Sequence, residues 1–432
     1  MVLAIDPKTI AIGVFVGVYL LIILGLRELA VASLAGVAIL VLIGAMFPDL
    51  TVITWEEAWH FVDFDVVALL IGVIIVARVL SHVGFFRWLG IHMANLVRCD
   101  PMKMMLLFMG ISALLNSLIG ATVVISLIMS VVVMEIMDVL DLDPRPLVLN
   151  IIFVVNITGM STSISSIPTI LMASALGLSF WDFLSVMWAP TLVATGVLLA
   201  MMFYTYRGSF LRARPRYTRM PIDPSEVITD KKLFAFCVAM FLAMVVGFIA
   251  GPNMGLSPGA VSLIVAATVL IVGGKKIGPV IREVDWETVL SITSLLMLVG
   301  ALEKTGVIAD LSHALARWLG GNRALGITVM LWLSALISAF IDNVPYTMTM
   351  ISTLKAMGEA GLDVGPLWWA LAAGTSLGGN GTIIASYANI VVVGEVSRRG
   401  YRIDPVSFAK AGLPLVLVSV AVVNLVLIAM FA

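Results

Sequence analysis

Apolar stretches long enough to cross a bilayer recur along the whole chain, at residues 9–25, 29–46, 65–82, 181–204, 232–250, 258–273, 284–303 and 411–431. A helix needs about 20 apolar residues to span hydrocarbon. Within that layer no water meets the backbone, so every N–H and C=O must find a partner inside the protein. The chain therefore reads as an all-α polytopic membrane protein. Its residues are 61% hydrophobic and 12% charged, against about 25% charged for a soluble domain, which excludes an ordinary globular protein. A net charge of −1 gives no footing for a nucleic-acid partner. Cys99 and Cys237 stand far apart without CxxC spacing, so neither a disulfide framework nor a zinc site is expected. The opening MVLAIDPKTI carries an acid and no basic region ahead of its apolar run. We read it as a retained span rather than a cleaved signal.

Two polar interruptions inside apolar stretches carry the functional signal. They are SAFIDNVPYTMTM at 338–350 and GTSLGGNGTIIASYANIVVVGE at 374–395. Polar groups at such places are costly enough to be functional by default. Asp342, desolvated at a hairpin tip, is the candidate proton carrier or cation ligand, since a carboxylate stripped of water holds its proton more readily. The structural alternative is a cap on the N–H groups freed at the turn. Around the second break, Gly379 and Gly381 permit unwound backbone, while Asn380, Thr382 and freed carbonyls offer neutral ligands. The half-helix beyond would aim partial positive charge at an anion, and Asn389 could reach the same pocket. The competing reading of the glycines is helix packing. In the first half Asn116, Ser117, Thr122, Asn156, Thr158, Ser161, Thr162, Ser163, Ser165 and Ser166 stand at comparable places. These amides and hydroxyls suit a neutral or anionic oxygen-rich solute better than a bare divalent cation, which wants several carboxylates. Ser and Thr in membrane helices also bond simply to their own helix carbonyls. Arg78 and His82 read as snorkelling to the interface. Without GxxxxGK[ST], HExxH or GxSxG motifs, hydrolase chemistry lacks support; we expect no enzyme, no cofactor and no metal site.

The segment order is the same in both halves, which marks an internal repeat. Asp63-Phe64-Asp65-Val66-Val67 matches Asp285-Trp286-Glu287-Thr288-Val289, Ser112 to Ser117 matches Ser338 to Asn343, and Gly159 to Ser166 matches Gly379 to Ser386. The offsets are about 220 to 226 residues. Residues 1–205 form the first repeat and 232–432 the second, joined by an Arg-rich linker at 206–231. Arg207, Arg212, Arg214, Arg216, Arg219 and Lys231 make that linker cytoplasmic. Treating 101–138, whose two apolar arms meet near Asn116-Ser117, and the arms around Asp342 as re-entrant hairpins puts Arg27, Arg87, Arg98, Lys103, Arg145, Lys275, Lys276, Arg282, Arg398, Arg399, Arg402 and Lys410 on the same side. Lys8, Lys304, Arg317, Arg323 and Lys355 are left outside. One hairpin then opens from each side, an inverted repeat of roughly ten spans with both termini outside.

These motifs resemble the ion transporter superfamily, in particular its arsenite permease and melanosomal P protein branch. NhaD-type antiporters and divalent-anion/sodium symporters are more distant relatives. The likeness covers nearly the whole chain and rests most on the two interrupted segments. It implies two inverted repeats, each with a re-entrant hairpin and a broken helix, in a homodimeric elevator-type transporter with a scaffold and a moving part. It places Asp342, Asn343 and Pro345 at the second hairpin tip, and Gly379, Asn380, Gly381, Thr382 and Asn389 at the second broken helix. The first half departs from the pattern. Asn116-Ser117 stand where such proteins carry Asp-Asn, and Ser165-Ser166-Ile167-Pro168-Thr169 where they carry Gly-Asp-Pro-Pro-Asn. One coupled proton is therefore expected rather than a second cation site.

Together the residues and the resemblance predict a multi-pass plasma-membrane protein that exports arsenite, antimonite or a related small oxyacid by proton coupling. Asp342 would carry the proton, Na+ being the alternative coupling ion. Asn116, Ser117, Thr122, Ser161, Thr162, Asn343, Gly379, Asn380, Gly381, Thr382 and Asn389 would hold the solute. The alternatives are a sodium/proton antiporter, an organic-anion carrier for dicarboxylate or citrate-like solutes, and a passive anion channel. The resemblance also admits a soluble ATPase partner.

Overall fold

The computed structural model describes residues 6–23, 26–212, 218–228, 230–274, 277–319 and 322–432. Among them every regular element is a helix. The first half holds α1 (Pro7–Ile23), α2 (Leu29–Met46), α3 (Trp55–His60), α4 (Phe64–His82), α5 (Phe85–Leu96), α6 (Pro101–Ile119), α7 (Thr122–Leu140), α8 (Arg145–Thr158), α9 (Ile167–Leu176) and α10 (Phe180–Arg212). The second holds α11 (Lys231–Ala250), α12 (Pro258–Gly273), α13 (Trp286–Lys304), α14 (Val307–Leu319), α15 (Arg323–Ser338), α16 (Asn343–Glu359), α17 (Gly365–Gly378), α18 (Tyr387–Arg398) and α19 (Pro405–Phe431). Helix starts follow local sequence: Asp100, Ser257 and Asp404 each accept an N–H of the first turn, with proline next in the chain. Both devices satisfy or remove donors that a helix start leaves orphaned.

The expected spans at 29–46 and 258–273 coincide with α2 and α12 in extent, but α12, at 16 residues, is too short to count as a membrane-crossing helix. Among the described helices eight are long and apolar enough to cross a membrane, and α6 and α7 count among them at 19 residues each. The chain nevertheless turns straight back between those two, at Gly120 and Ala121. The sequence reading put that turn at Asn116-Ser117; both lie instead in the last turn of α6. The Arg-rich linker is partly helix, since α10 runs on to Arg212. Its later part rests on α5, where Asn95 Oδ1 accepts the Met220 N–H at 2.7 Å. Arg214, Arg216, Lys275 and Lys276, used in the orientation count, lie outside the described residues.

Helix packing divides the molecule into two groups. α1, α2, α4, α11, α12 and α13 pack on one another, and α6 to α10 pack with α15 to α19. α5 and α14 touch helices of both groups. Contacts recur in exchanged form between the halves: α2 lies on α13 as α12 lies on α4, α6 on α8 as α15 on α17, and α7 on α18 as α16 on α9. The contact of α15 with α17 uses small residues. Cβ atoms on Gly374 and Gly378 would stand 2.6 Å from Ser334 Cβ and 2.5 Å from Ala335 O, so glycine at both lets α17 lie directly on α15. Part of the glycine signal in the second break is thus packing.

The most buried helices are α8 and α17, whose faces are apolar almost all round. Each stops inside the protein, at Thr158 and Gly378, and the chain resumes as α9 and α18 after an unwound stretch. These two breaks, with the α6–α7 and α15–α16 turns, form the centre of the second group.

Candidate functional site

Each hairpin turn is seated on a break. Gly120 has φ +69° and its position lies against the Ile164 carbonyl, where a Cβ would come within 1.6 Å. Around it, Asn116 donates to Val155 O at 3.0 Å and Thr158 Oγ1 at 3.3 Å. Thr162 Oγ1 donates to Ser117 O at 2.8 Å, Ser161 Oγ to Ser117 Oγ at 2.8 Å, and Thr122 Oγ1 to Ser165 O at 3.1 Å. In the second half Ser338 Oγ donates to Thr375 O at 3.0 Å, and Thr382 Oγ1 to Ala339 O at 2.7 Å. Gly381 allows this second approach, since its Cβ would stand 2.6 Å from Ala339 Cβ.

These bonds reset the register of the repeat. Asn116 plays the part of Ser338, and Ser117 that of Ala339, at the same offset of about 222 as the other matches. Pairing Asn116 with Asp342 is out by about one helical turn. The place equivalent to Asp342 is the Gly120–Ala121 turn, so the acid has no polar counterpart in the first half.

The two breaks are tied to each other through amides. Asn156 Nδ2 lies 3.2 Å from Gly379 O, 3.0 Å from Asn380 Oδ1 and 2.9 Å from Asn389 Oδ1. Asn380 in turn donates to Phe153 O at 3.3 Å, and Asn389 to Gly379 O at 2.8 Å and Thr382 O at 3.0 Å. Asn380 and Asn389 are wholly buried. Their amides satisfy backbone carbonyls freed by the unwinding, which is what unwound chain at this depth requires.

Between the helix groups lies a cleft holding a cavity of about 50 Å³, room for a few waters. Of the sequence candidates, Thr122, Asp342 and Asn343 line it. Asn116, Ser117, Ser161, Thr162, Gly379, Asn380, Gly381, Thr382 and Asn389 instead bind tip to break or one break to the other. Ser166, also among the first-half candidates, lines it too, together with Glu287, Thr288, Ser291 and Tyr387, which sequence reasoning did not select. The signal for Glu287 was present: Asp65 and Glu287 share a register position in the repeated DFDVV and DWETV segments.

Four helices of the hairpin-and-break group begin at this cleft, α7 at Thr122, α9 at Ile167, α16 at Asn343 and α18 at Tyr387, and α2 of the other group begins there at Leu29. Each start carries partial positive charge and N–H groups without helical partners. Asp342 sits between two of them. Its Oδ1 accepts the Val344 N–H at 3.0 Å and its Oδ2 the Tyr387 N–H at 3.1 Å. Ala121 and Ser386, ahead of α7 and α18, provide no side-chain cap. Glu287 Oε2 accepts the Tyr387 hydroxyl at 2.7 Å. Among the described residues no lysine, arginine or histidine lines the cleft. Among the described residues no group of three or more His, Cys, Asp or Glu could hold a metal ion.

Residues 19–374 match the family model described as citrate transporter, CitMHS. An uncharacterized transporter of Mycobacterium tuberculosis is 31% identical over 421 residues, covering 96% of each chain. The P protein of Homo sapiens is 27% identical, covering 96% of this chain and 59% of that one. Among solved structures, the YdaH transporter of Alcanivorax borkumensis superposes with a TM-score of 0.57 at 12% identity, over 85% of this chain and 84% of that chain. That likeness is one of fold.

Proposed function

The chain belongs to the citrate transporter family, and from that premise we propose that it is a secondary-active carrier of a small organic anion rich in carboxylates, driven by a proton held at Asp342. It is a membrane transporter and not an enzyme. The observation that carries the substrate class is the convergence of four helix starts on one cleft whose lining has no basic side chain. Partial charges at helix starts attract an anion much as lysine or arginine would. The hydroxyls of Thr122, Ser166, Thr288 and Ser291 donate to Ser165 O, Gly159 O, Asp285 Oδ2 and Glu287 O, so the helix starts are left to meet the anion.

Asp342 links proton to anion. As a carboxylate it occupies the N–H groups of Val344 and Tyr387. Once protonated it accepts hydrogen bonds more weakly, and those groups become free for a carboxylate of the solute. Proton and anion then travel together. Arsenite and antimonite are not carried forward: Cys99 and Cys237 are buried and outside the cleft lining, and the matching family is described by citrate.

The two halves work, in this reading, as inverted repeats with re-entrant hairpins. The α1, α2, α4, α11, α12 and α13 group is the scaffold of an elevator, and the group of hairpins and broken helices moves. Helices α5 and α14, touching both groups, are the connecting arms. The bias of lysine and arginine supports a cytoplasmic linker at 206–231, termini outside and a plasma-membrane setting. A homodimer and a soluble ATPase partner rest on the resemblance alone.

The test is flux in proteoliposomes holding an internal pH dye, with citrate, arsenite and sodium offered in turn to the parent and to Asp342→Asn. Proton entry with citrate alone, lost in the variant, is the expected result. Proton movement with arsenite or sodium would replace the solute. Citrate flux without protons, unchanged in Asp342→Asn, would reduce Asp342 to a cap. Voltage-dependent currents that survive the substitution would favour the passive channel.

A further inference from the structure

A second carboxylate faces the cleft, and the proton argument does not use it. Glu287 is half-buried near the start of α13, and its Oε2 accepts the Tyr387 hydroxyl at 2.7 Å. Tyr387 opens α18, and its N–H is held by Asp342. One residue therefore joins two carboxylates, one from each side of the cleft. α13 belongs to the scaffold group, whereas α18 and the tip bearing Asp342 belong to the other.

The ionisable neighbours of Glu287 are all acids or the phenol itself. They are Asp285 on the same helix, Glu28 just ahead of α2, Tyr387 on α18, and Asp342 across the cleft. Asp285 is already engaged by Thr288, through N–H at 3.1 Å and hydroxyl at 2.6 Å. No cationic side chain lines the cleft to compensate Glu287, which leaves the Tyr387 hydroxyl as its side-chain partner. Other polar contacts between the groups lie away from the cleft lining: Ser174 to Asp63, and Ser352 to Glu303 at 3.2 Å.

We infer that the Tyr387–Glu287 hydrogen bond is a latch across the cleft, and that Glu287 is a positioning residue for reorientation of the tip-and-break group against α13. The purpose of the latch rests on the transport reading, but its test does not. A hydroxyl bonded to a carboxylate shifts an equilibrium by about 10- to 100-fold. Breaking it releases the start of α18 from α13 and widens the cleft between them.

The experiment uses the full chain in lipid nanodiscs with Cys99 and Cys237 replaced by alanine and Thr122→Cys as a reporter in the cleft lining. The reaction rate with a water-soluble maleimide is measured with no solute present. Tyr387→Phe and Glu287→Ala should each raise the rate about tenfold or more. Glu287→Gln keeps an oxygen that accepts the phenol proton, without the charge, and should raise the rate less than Glu287→Ala does. An unchanged or slower rate in Tyr387→Phe overturns the latch, and so does Glu287→Gln reacting as fast as Glu287→Ala. Size-exclusion profiles matching the parent establish that each variant is folded. Citrate flux is measured in the parent chain, which keeps Thr122: its absence with the labelling pattern intact would count against the anion reading alone, and its presence with the pattern missing against the latch alone.

Discussion

Gly120→Ala should be the most damaging single-methyl change in the first hairpin. The residue adopts φ +69°, a left-handed conformation that costs a residue with a Cβ about 1–2 kcal/mol. Its Cβ would also lie 1.6 Å from Ile164 O, so the turn must withdraw by about 2 Å to reach ordinary contact distance. Withdrawal on that scale parts Thr162 from Ser117 O (2.8 Å), Ser161 from the Ser117 hydroxyl (2.8 Å) and Thr122 from Ser165 O (3.1 Å). At about 0.5–1.5 kcal/mol for each bond, the sum with backbone strain is about 3–6 kcal/mol. Gly110→Ala is the matched control. It lies inside the same helix with nothing within 4 Å of its Cβ, and should gain up to about 1 kcal/mol from helix propensity. Thermal unfolding in detergent, followed by tryptophan fluorescence, compares the two. If Gly120→Ala melts within about a degree of Gly110→Ala, the turn is not seated on the break, and the geometry built on that contact fails.

Asn156→Ala removes the shared donor of Asn380 and Asn389 and leaves both buried oxygens unpaired. The expected loss is about 2–5 kcal/mol, read by the same melting assay; a neutral result would mean the breaks hold their shape without this link. Glu57 shows a pH dependence of known sign. Its hydrogen bond from Lys304, helped by the Thr54 N–H, holds its carboxyl at about 2, below the ordinary 4.5. Its stabilisation is therefore complete above a pH of about 4.5 and lost as pH falls toward 2. Glu57→Gln should melt earlier than the parent near neutral pH, with the gap closing in acid. A gap that persists undiminished at low pH would rule out the ion pair as its source.

Much of the frame was legible before any coordinates. Hydrocarbon length and the need to satisfy backbone groups act on consecutive residues, so α2 could be delimited by composition alone. The two breaks were legible for the same reason, because glycine, asparagine and serine in a buried apolar run have few other meanings. Asp342 was found as an isolated carboxylate, and it does stand at the cleft. The turn of the first hairpin was misplaced, since a polar pair marks a costly site without saying whether the helix stops there. Asn116 continues the helix because Val155 O and Thr158 Oγ1 lie beside it.

The amino-acid sequence by itself determined that this chain is a helical membrane protein with two interrupted helices and a lone acid among apolar neighbours. It also determined which polar groups must be satisfied at depth. Only the tertiary structure decided by whom. Asn380 and Asn389 turn inward to Asn156, more than 220 positions away in the chain, and so serve the shape of the break. Glu287 meets Tyr387 across 100 positions, and so becomes part of the cleft. A hydrogen bond is settled by distance and direction in space, and neither is encoded in the order of residues along one helix.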